Sequence, residues 1–252
     1  YNIMAASQMM HNRNGIFKSL FDPKNMDGEV DFQEVKEEIL KEFGEAIKTP
    51  EEMAEAQEKL AELAEDVMKT MIESENVRSI DIRDMRVMQQ QIELGTRMAK
   101  EENYAIPVLV ADELTNVQLK IVRGKRERGR VDIMFETPKL GKVSASFQVQ
   151  KESVRGYLVS DSPETIEKLK NREGELQARI SQPEGQSWEM HMICSDQSDF
   201  SNIFSREKGM GDSEQTQEEQ QVQTRMLYGV ARAFLEEVKQ TQKHSWKPAP
   251  DL

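Results

Sequence analysis

Between Val131 and Val149 the chain alternates. Val131, Ile133 and Phe135 take every second position, and Val143, Ala145, Phe147 and Val149 do the same after Thr137-Pro138-Lys139-Leu140-Gly141. Successive side chains of a strand point to opposite faces, so period-two alternation predicts two half-buried antiparallel strands joined by a tight connection.

The neighbouring segments extend this pair into a sheet. Val117, Leu119 and Ile121 alternate with Gln118 and Lys120, and Gly124-Lys-Arg-Glu-Arg-Gly129 has the composition of a hairpin loop. A further strand is expected over Val154–Val159, giving a four-stranded antiparallel meander. Ile106–Val110 also reads as strand, with Pro107 placing it at an edge or a strand start. The next segment opens a helix: Asp161 or Ser162 as cap, Pro163 in the first turn, and Glu164 at the positive end of the dipole. Ile166, Leu169, Leu176 and Ile180 form its apolar face, and Gly174 weakens its middle by about 1 kcal/mol relative to alanine. Gln182–Gly185 is a loop, and Trp188, Met190, Met192 and Cys194 mark a last strand. The expected fold class is α+β, in the order β-β-β-β-α-β, with one helix laid across the sheet.

An N-terminal helical bundle is expected before this unit and a C-terminal helix after it. Tyr1–Phe21 has a weak helical pattern broken by Asn12, Asn14 and Gly15, so a short helix or partial disorder is expected. Val35, Ile39, Phe43 and Ile47 recur every four residues. Thr49-Pro50-Glu51-Glu52 is a helix start with a capping-box arrangement. Met53, Ala56, Leu60, Leu63, Val67 and Met71 form its stripe, and a third helix follows from about Ser79 or Asp81. Its methionines, Met85, Met88 and Met98, read as core, with an adaptable binding groove as the alternative. Ser195 to about Gln221 is polar and reads as flexible. A helix from about Gln217 to Gln242 carries Val222, Met226, Val230, Phe234 and Val238. The expected domain plan is a helical region (1–104), an α+β domain (105–195), a linker (196–216), a C-terminal helix (217–243) and a tail (244–252).

Composition narrows the function classes. A net charge of −12 disfavours non-specific attraction to DNA or an anionic bilayer. No apolar run reaches the roughly 18 residues of a membrane span. The chain starts at Tyr1 without a leader-like segment, so a piece of a longer protein is expected. Cys194 lies in a strand pattern and is expected to be a buried, inert thiol. One cysteine fits either a reducing compartment or bacterial secretion.

Two local clusters could bind something. Phe21-Asp-Pro-Lys-Asn-Met-Asp-Gly-Glu-Val-Asp-Phe-Gln-Glu34 resembles an EF-hand loop: with Gly28 at the sharp turn, Asn25, Asp27, Asp31 and Glu34 fall at ligand positions 3, 5, 9 and 12. The first position is Pro23, which offers no side-chain oxygen. The readings are a polar turn before a helix or a degenerate calcium site; no other cofactor is expected. Arg123, Lys125, Arg126, Arg128 and Arg130 form a basic cluster. It could grip phosphates, but its loop has no aromatic residue to stack a base. A solvated hairpin tip and a docking patch for an acidic partner are the remaining readings.

Pro138, Leu140, Gly141 and Val143, followed by Phe147 and Val149, resemble the C-terminal domain of flagellar hook-length control proteins. Val154, Tyr157 and Val159 sit where its next strand falls, and Ile166, Leu169, Leu176 and Ile180 take its helix positions. The likeness covers about residues 114–194; the family spaces Pro and Leu one residue further apart. It implies a non-enzymatic bacterial protein that docks on the cytoplasmic part of the flagellar type III export gate and regulates substrate switching. It also implies residence in the cytoplasm and export through the flagellar apparatus. Pro138, Leu140, Gly141 and Val143 are then the expected docking residues. The alternative is a cytoplasmic scaffold or regulator that binds through its acidic helical region, with the calcium-like loop as a modulator.

Catalysis finds little to build on. His11, His191 and His244 are scattered, Glu189 and His191 share a strand face, and no nucleophile elbow, phosphate loop, CxxC or HExxH pattern occurs. Non-enzymatic protein interaction is the expected class.

Overall fold

The computed structural model describes residues 32–73, 79–110, 113–180, 186–195 and 215–243. Asn25, Asp27 and Asp31 of the calcium-like loop, most of the expected linker and the tail lie outside the described residues. Three helices come first: α1 (Phe32–Ala46), α2 (Pro50–Glu73) and α3 (Ser79–Ala99). Glu34 lies in α1. Five strands follow, β1 (Asn103–Val110), β2 (Glu113–Arg123), β3 (Gly129–Thr137), β4 (Gly141–Gln150) and β5 (Ser153–Ser160). Then come α4 (Pro163–Asn171), α5 (Glu173–Ile180), β6 (Ser187–Cys194) and α6 (Gln217–Lys243). The class is α+β, as the alternation predicts.

The sheet has six strands in the order β1-β2-β3-β4-β5-β6. The first five form an antiparallel meander, one strand longer than the alternation alone predicts. The added strand is Asn103–Val110; its Ile106–Val110 portion reads as strand in the sequence, and it takes the sheet edge that Pro107 indicates. Ile121 N donates to Glu102 O at 2.9 Å, and the β1–β2 register then turns the even-numbered residues of β1 towards β2. Pro107, which has no amide hydrogen, therefore sits where its nitrogen faces away from the ladder. β6 joins β5 in parallel, because the helical crossover returns the chain to the end where β5 began.

Register fixes two faces. Tyr104, Leu119, Ile133, Ala145, Leu158 and Met192 lie side by side across the sheet, and all but Met192 are fully buried. Lys120, Asp132, Ser146, Tyr157 and His191 make the matching row on the opposite, polar face. The apolar face receives α6: the Phe147 and Phe234 rings lie 5.5 Å apart, and a Cβ on Gly129 would meet Leu227 at 2.7 Å. Helix α6 therefore approaches β3 at a distance that only glycine permits there. Burying each such aromatic ring is worth about 2–3 kcal/mol. Ile39 and Phe43 of α1, Ile47 just after it, and Met53 and Leu60 of α2 belong to the same apolar cluster as the sheet and α6.

The crossover helix breaks. Gly174 was the expected weak point, but α4 ends at Arg172 (φ −105°, ψ 5°), two residues earlier. There the Arg172 guanidinium donates to Glu237 of α6 at 2.7 Å, and Arg179 of α5 donates to the other oxygen of the same carboxylate. Two of the predicted caps form: Glu52 N donates to Thr49 Oγ1, and Thr165 N donates to Ser162 Oγ. Helix α6 opens with a capping box in which Glu219 N donates to Thr216 Oγ1 and Thr216 N donates to Glu219 Oε2.

A second clamp fixes α6 near its middle. Glu102, at φ 54°, accepts two hydrogen bonds from Arg123 at 2.6 and 2.7 Å and one from the Tyr228 hydroxyl at 3.0 Å. The Tyr228 and Tyr104 hydroxyls lie 2.6 Å apart. Burial pushes the Tyr104 phenol up from its ordinary 10.0 to about 12, and burial followed by the Glu102 charge raises Tyr228 as well. A raised folded pKa means that the neutral phenol is favoured in the fold, so its contribution is complete below the unfolded value and is lost as pH rises past it. Stability should therefore fall as pH climbs from about 10 towards 12. Urea unfolding across this range checks it: Tyr104→Phe should flatten the fall, and an equally steep fall in that variant would contradict the assignment.

Candidate functional site

The Pro138–Gly141 turn is held from three sides. Leu140 N donates to Thr137 Oγ1 at 2.9 Å, Thr165 Oγ1 donates to Leu140 O at 2.8 Å, and Lys142 N donates to Asp161 Oδ1 at 2.9 Å. Ser162 is thus the helix cap, while Asp161 is turned back onto the β3–β4 connection. Gly141 has φ +70°, and a Cβ there would lie 2.2 Å from Asp161 Oδ1. Glycine is required twice over, for its left-handed backbone and for the space.

This turn closes one end of a groove of about 700 Å³ between α1, β1, α4 and α6. Its apolar lining includes Leu40, Ile47, Ile106, Val108, Leu140 and Leu235. Around it stand Lys41, Lys139, Lys168, Arg232 and Lys239, against only two carboxylates, Glu37 and Glu236. In a chain of net charge −12 this is a local inversion of sign. Lys239 donates to Glu236 at 3.3 Å. Lys41, Lys168 and Arg232 are exposed and have no ion-pair partner among the described residues. An apolar floor under a cationic rim suits a segment that carries both apolar anchors and carboxylates.

The four motif residues divide between roles. Pro138 is exposed, Leu140 lines the groove, Gly141 shapes the turn, and Val143 is fully buried on the inner sheet face. Val143 is a core residue, so it offers no docking surface.

The basic cluster does not stand together either. Arg123 is taken up by Glu102, with further bonds to Gln223 at 3.3 Å and Thr224 at 2.9 Å. Arg130 is on the polar sheet face, where its Nε donates to Asp132 at 3.0 Å. Lys125, Arg126 and Arg128 remain exposed at the tip. The loop is anchored from below: the Gln223 amide, fully buried, donates to the carbonyls of Gly124, Arg126 and Arg128. Its two ends therefore serve as fastenings of the sheet and of α6.

Sequence reasoning placed Glu189 and His191 together on one strand face but missed the buried Asp132 cluster of the same sheet face. Asp132 is 1% exposed and accepts from Ser146 Oγ at 2.7 Å as well as from Arg130. Burial raises its pKa, and the Ser146 and Arg130 interactions pull it back. Further along, His191 Nε2 lies 2.7 Å from Glu189 Oε1, Arg155 Nε donates to Glu189 Oε2 at 2.8 Å, and the Tyr157 and His191 rings stack at 5.3 Å. Hydrogen bonding from His191, then from Arg155, lowers the Glu189 pKa. Cys194, expected to be buried, is exposed; it lies at the end of β6, which has no neighbouring strand on one side among the described residues.

Among the described residues no group of three or more His, Cys, Asp or Glu is placed to hold a metal ion. None of their helices is long and apolar enough to cross a membrane. Comparison with family models, with curated proteins and with solved structures finds no match. The fold and the groove therefore define a class, a two-layer α+β protein with a cation-rimmed apolar groove.

Gly141→Ala should destabilise the protein by about 1–3 kcal/mol, through left-handed strain and displacement of Asp161. Chemical denaturation measures this, and unchanged stability would show that the turn is not held as described.

Proposed function

We propose that this chain is a non-enzymatic docking domain of the export-linked kind implied by its likeness to hook-length control proteins. Its partner seats in the groove between α1 and α6. One observation carries this reading: the turn that bears the likeness also delivers Leu140 to the apolar lining and Lys139 to the rim. The partner segment is acidic and amphipathic. Apolar side chains one helical turn apart enter over Leu40 and Leu235, and carboxylates meet Lys41, Lys168 and Arg232. The rim charges speed encounter and select against basic competitors, while the apolar contact supplies residence time. In the flagellar reading the partner is the cytoplasmic domain of the export gate, and docking regulates the switch of export substrates. The protein then works in the bacterial cytoplasm and is itself exported through the apparatus.

Titration calorimetry with the export gate's cytoplasmic domain tests this. The native chain should bind, and Lys41→Glu combined with Arg232→Glu should weaken binding about tenfold or more. Both residues are exposed, so the fold should survive. No binding by the native chain, with normal motility in a deletion strain, would remove the flagellar reading. Binding that ignores both reversals would move the contact away from the groove.

A further inference from the structure

The two edges of the sheet differ. β1 has α1 and α3 packed against it, and the nitrogen of Pro107 faces outward, so this edge offers a broken ladder. Among the described residues β6 is the last strand on the other side, with α4 packed against it. No proline, lysine or glycine interrupts Ser187-Trp-Glu-Met-His-Met-Ile-Cys194, so of the usual devices that blunt an edge the strand itself carries only one charged residue, Glu189.

The hydrogen-bond direction along β6 can be read from its ends. Ser187 N donates to Glu152 O and Ser195 N donates to Ser160 O, both at 2.9 Å. With period two, the amides and carbonyls of Glu189, His191 and Ile193 also face β5. Those of Trp188, Met190, Met192 and Cys194 point away from the sheet. Ile193 is 51% exposed, and Glu189, His191 and Cys194 are exposed as well.

We propose that this edge pairs with the same edge of a second copy of the chain, antiparallel and centred on Met190. In that register Met190 faces the partner's Met190 and Trp188 faces the partner's Met192. All three are residues whose main-chain groups point outward, so the pairs close about six main-chain hydrogen bonds. Facing residues of an antiparallel pair share a sheet face. Trp188, Met190 and Met192 continue the apolar face, while Glu189 lies opposite the partner's His191 on the polar face, twice by symmetry. Shifting the centre to His191 sets two histidines against each other and Glu189 against Ile193. The charge pattern therefore selects the Met190 register and makes the edge complementary to itself.

Analytical ultracentrifugation of the full chain at physiological ionic strength, which screens the −12 carried by each copy, tests this. A monomer–dimer equilibrium is expected in the micromolar range. Glu189→Lys should weaken it about tenfold, by replacing two carboxylate–imidazole pairs across the strands with lysine–imidazole pairs, and adding His191→Glu should restore it. Met190→Pro removes an outward-facing amide together with a side chain that packs against the core, and should abolish the dimer, with circular dichroism reporting whether the fold persists. The exposed Glu189 variant keeps the test open if Met190→Pro does not fold. A native chain that stays monomeric would overturn the proposal, even if the edge captured an extended segment of another protein. So would a dimer that is indifferent to Glu189→Lys and its reversal.

Discussion

Glu237 lies on the buried side of α6 and holds two arginines from the crossover helices. About 13–14 Å back along the same helix, Tyr228 is bonded to Tyr104 and to the carboxylate of Glu102. These clamps act on a helix whose apolar stripe, with Leu227, Val230, Ala231, Phe234 and Val238, is almost wholly buried. A carboxylate in such a position is tolerable only when its charge is met, and Arg172 and Arg179 meet it from two directions. Clamps of this kind specify position more than they add stability. They set which turn of α6 lies over which strand, while the apolar area supplies most of the free energy.

Where α6 sits decides what the groove can be. Arg232, Leu235, Glu236 and Lys239 reach it because the Glu237 clamp, which lies among them in sequence, fixes the helix rotation. The opposite wall comes from α1, and the end from the Pro138–Gly141 turn, itself tied to α4 through Thr165 and Asp161. Four elements distant in sequence thus meet at one place. The polar bonds that join them are side chain to backbone in most cases, which fixes the turn without needing a long loop.

Much of this was legible in the residues. The alternation of Val131–Phe135 and Val143–Val149 predicts strands whose inner members are all buried, and the caps at Thr49 and Ser162 are local signals read correctly. What failed was non-local. Arg123 and Arg130 are neighbours of Lys125–Arg128 in sequence, yet the partner of one is Glu102 and that of the other is Asp132 on the far face. Val143 belongs to the family-like motif, but its own alternation with Ala145 and Phe147 already marked it as core. At the break Arg172 meets Glu237, 65 residues away, and the parallel pairing of β6 follows from the crossover. The groove combines residues from 37 to 240, so no window of sequence could contain it.

The central claim is that α6 forms part of the second layer of one core rather than an appendage. A chain ending at Glu214, with residues 215–243 supplied as a separate peptide, tests it most directly by near-ultraviolet circular dichroism during thermal unfolding. The shortened chain should lack a cooperative transition and regain one when the peptide is added. A cooperative transition at the temperature of the intact chain, without the peptide, would contradict it.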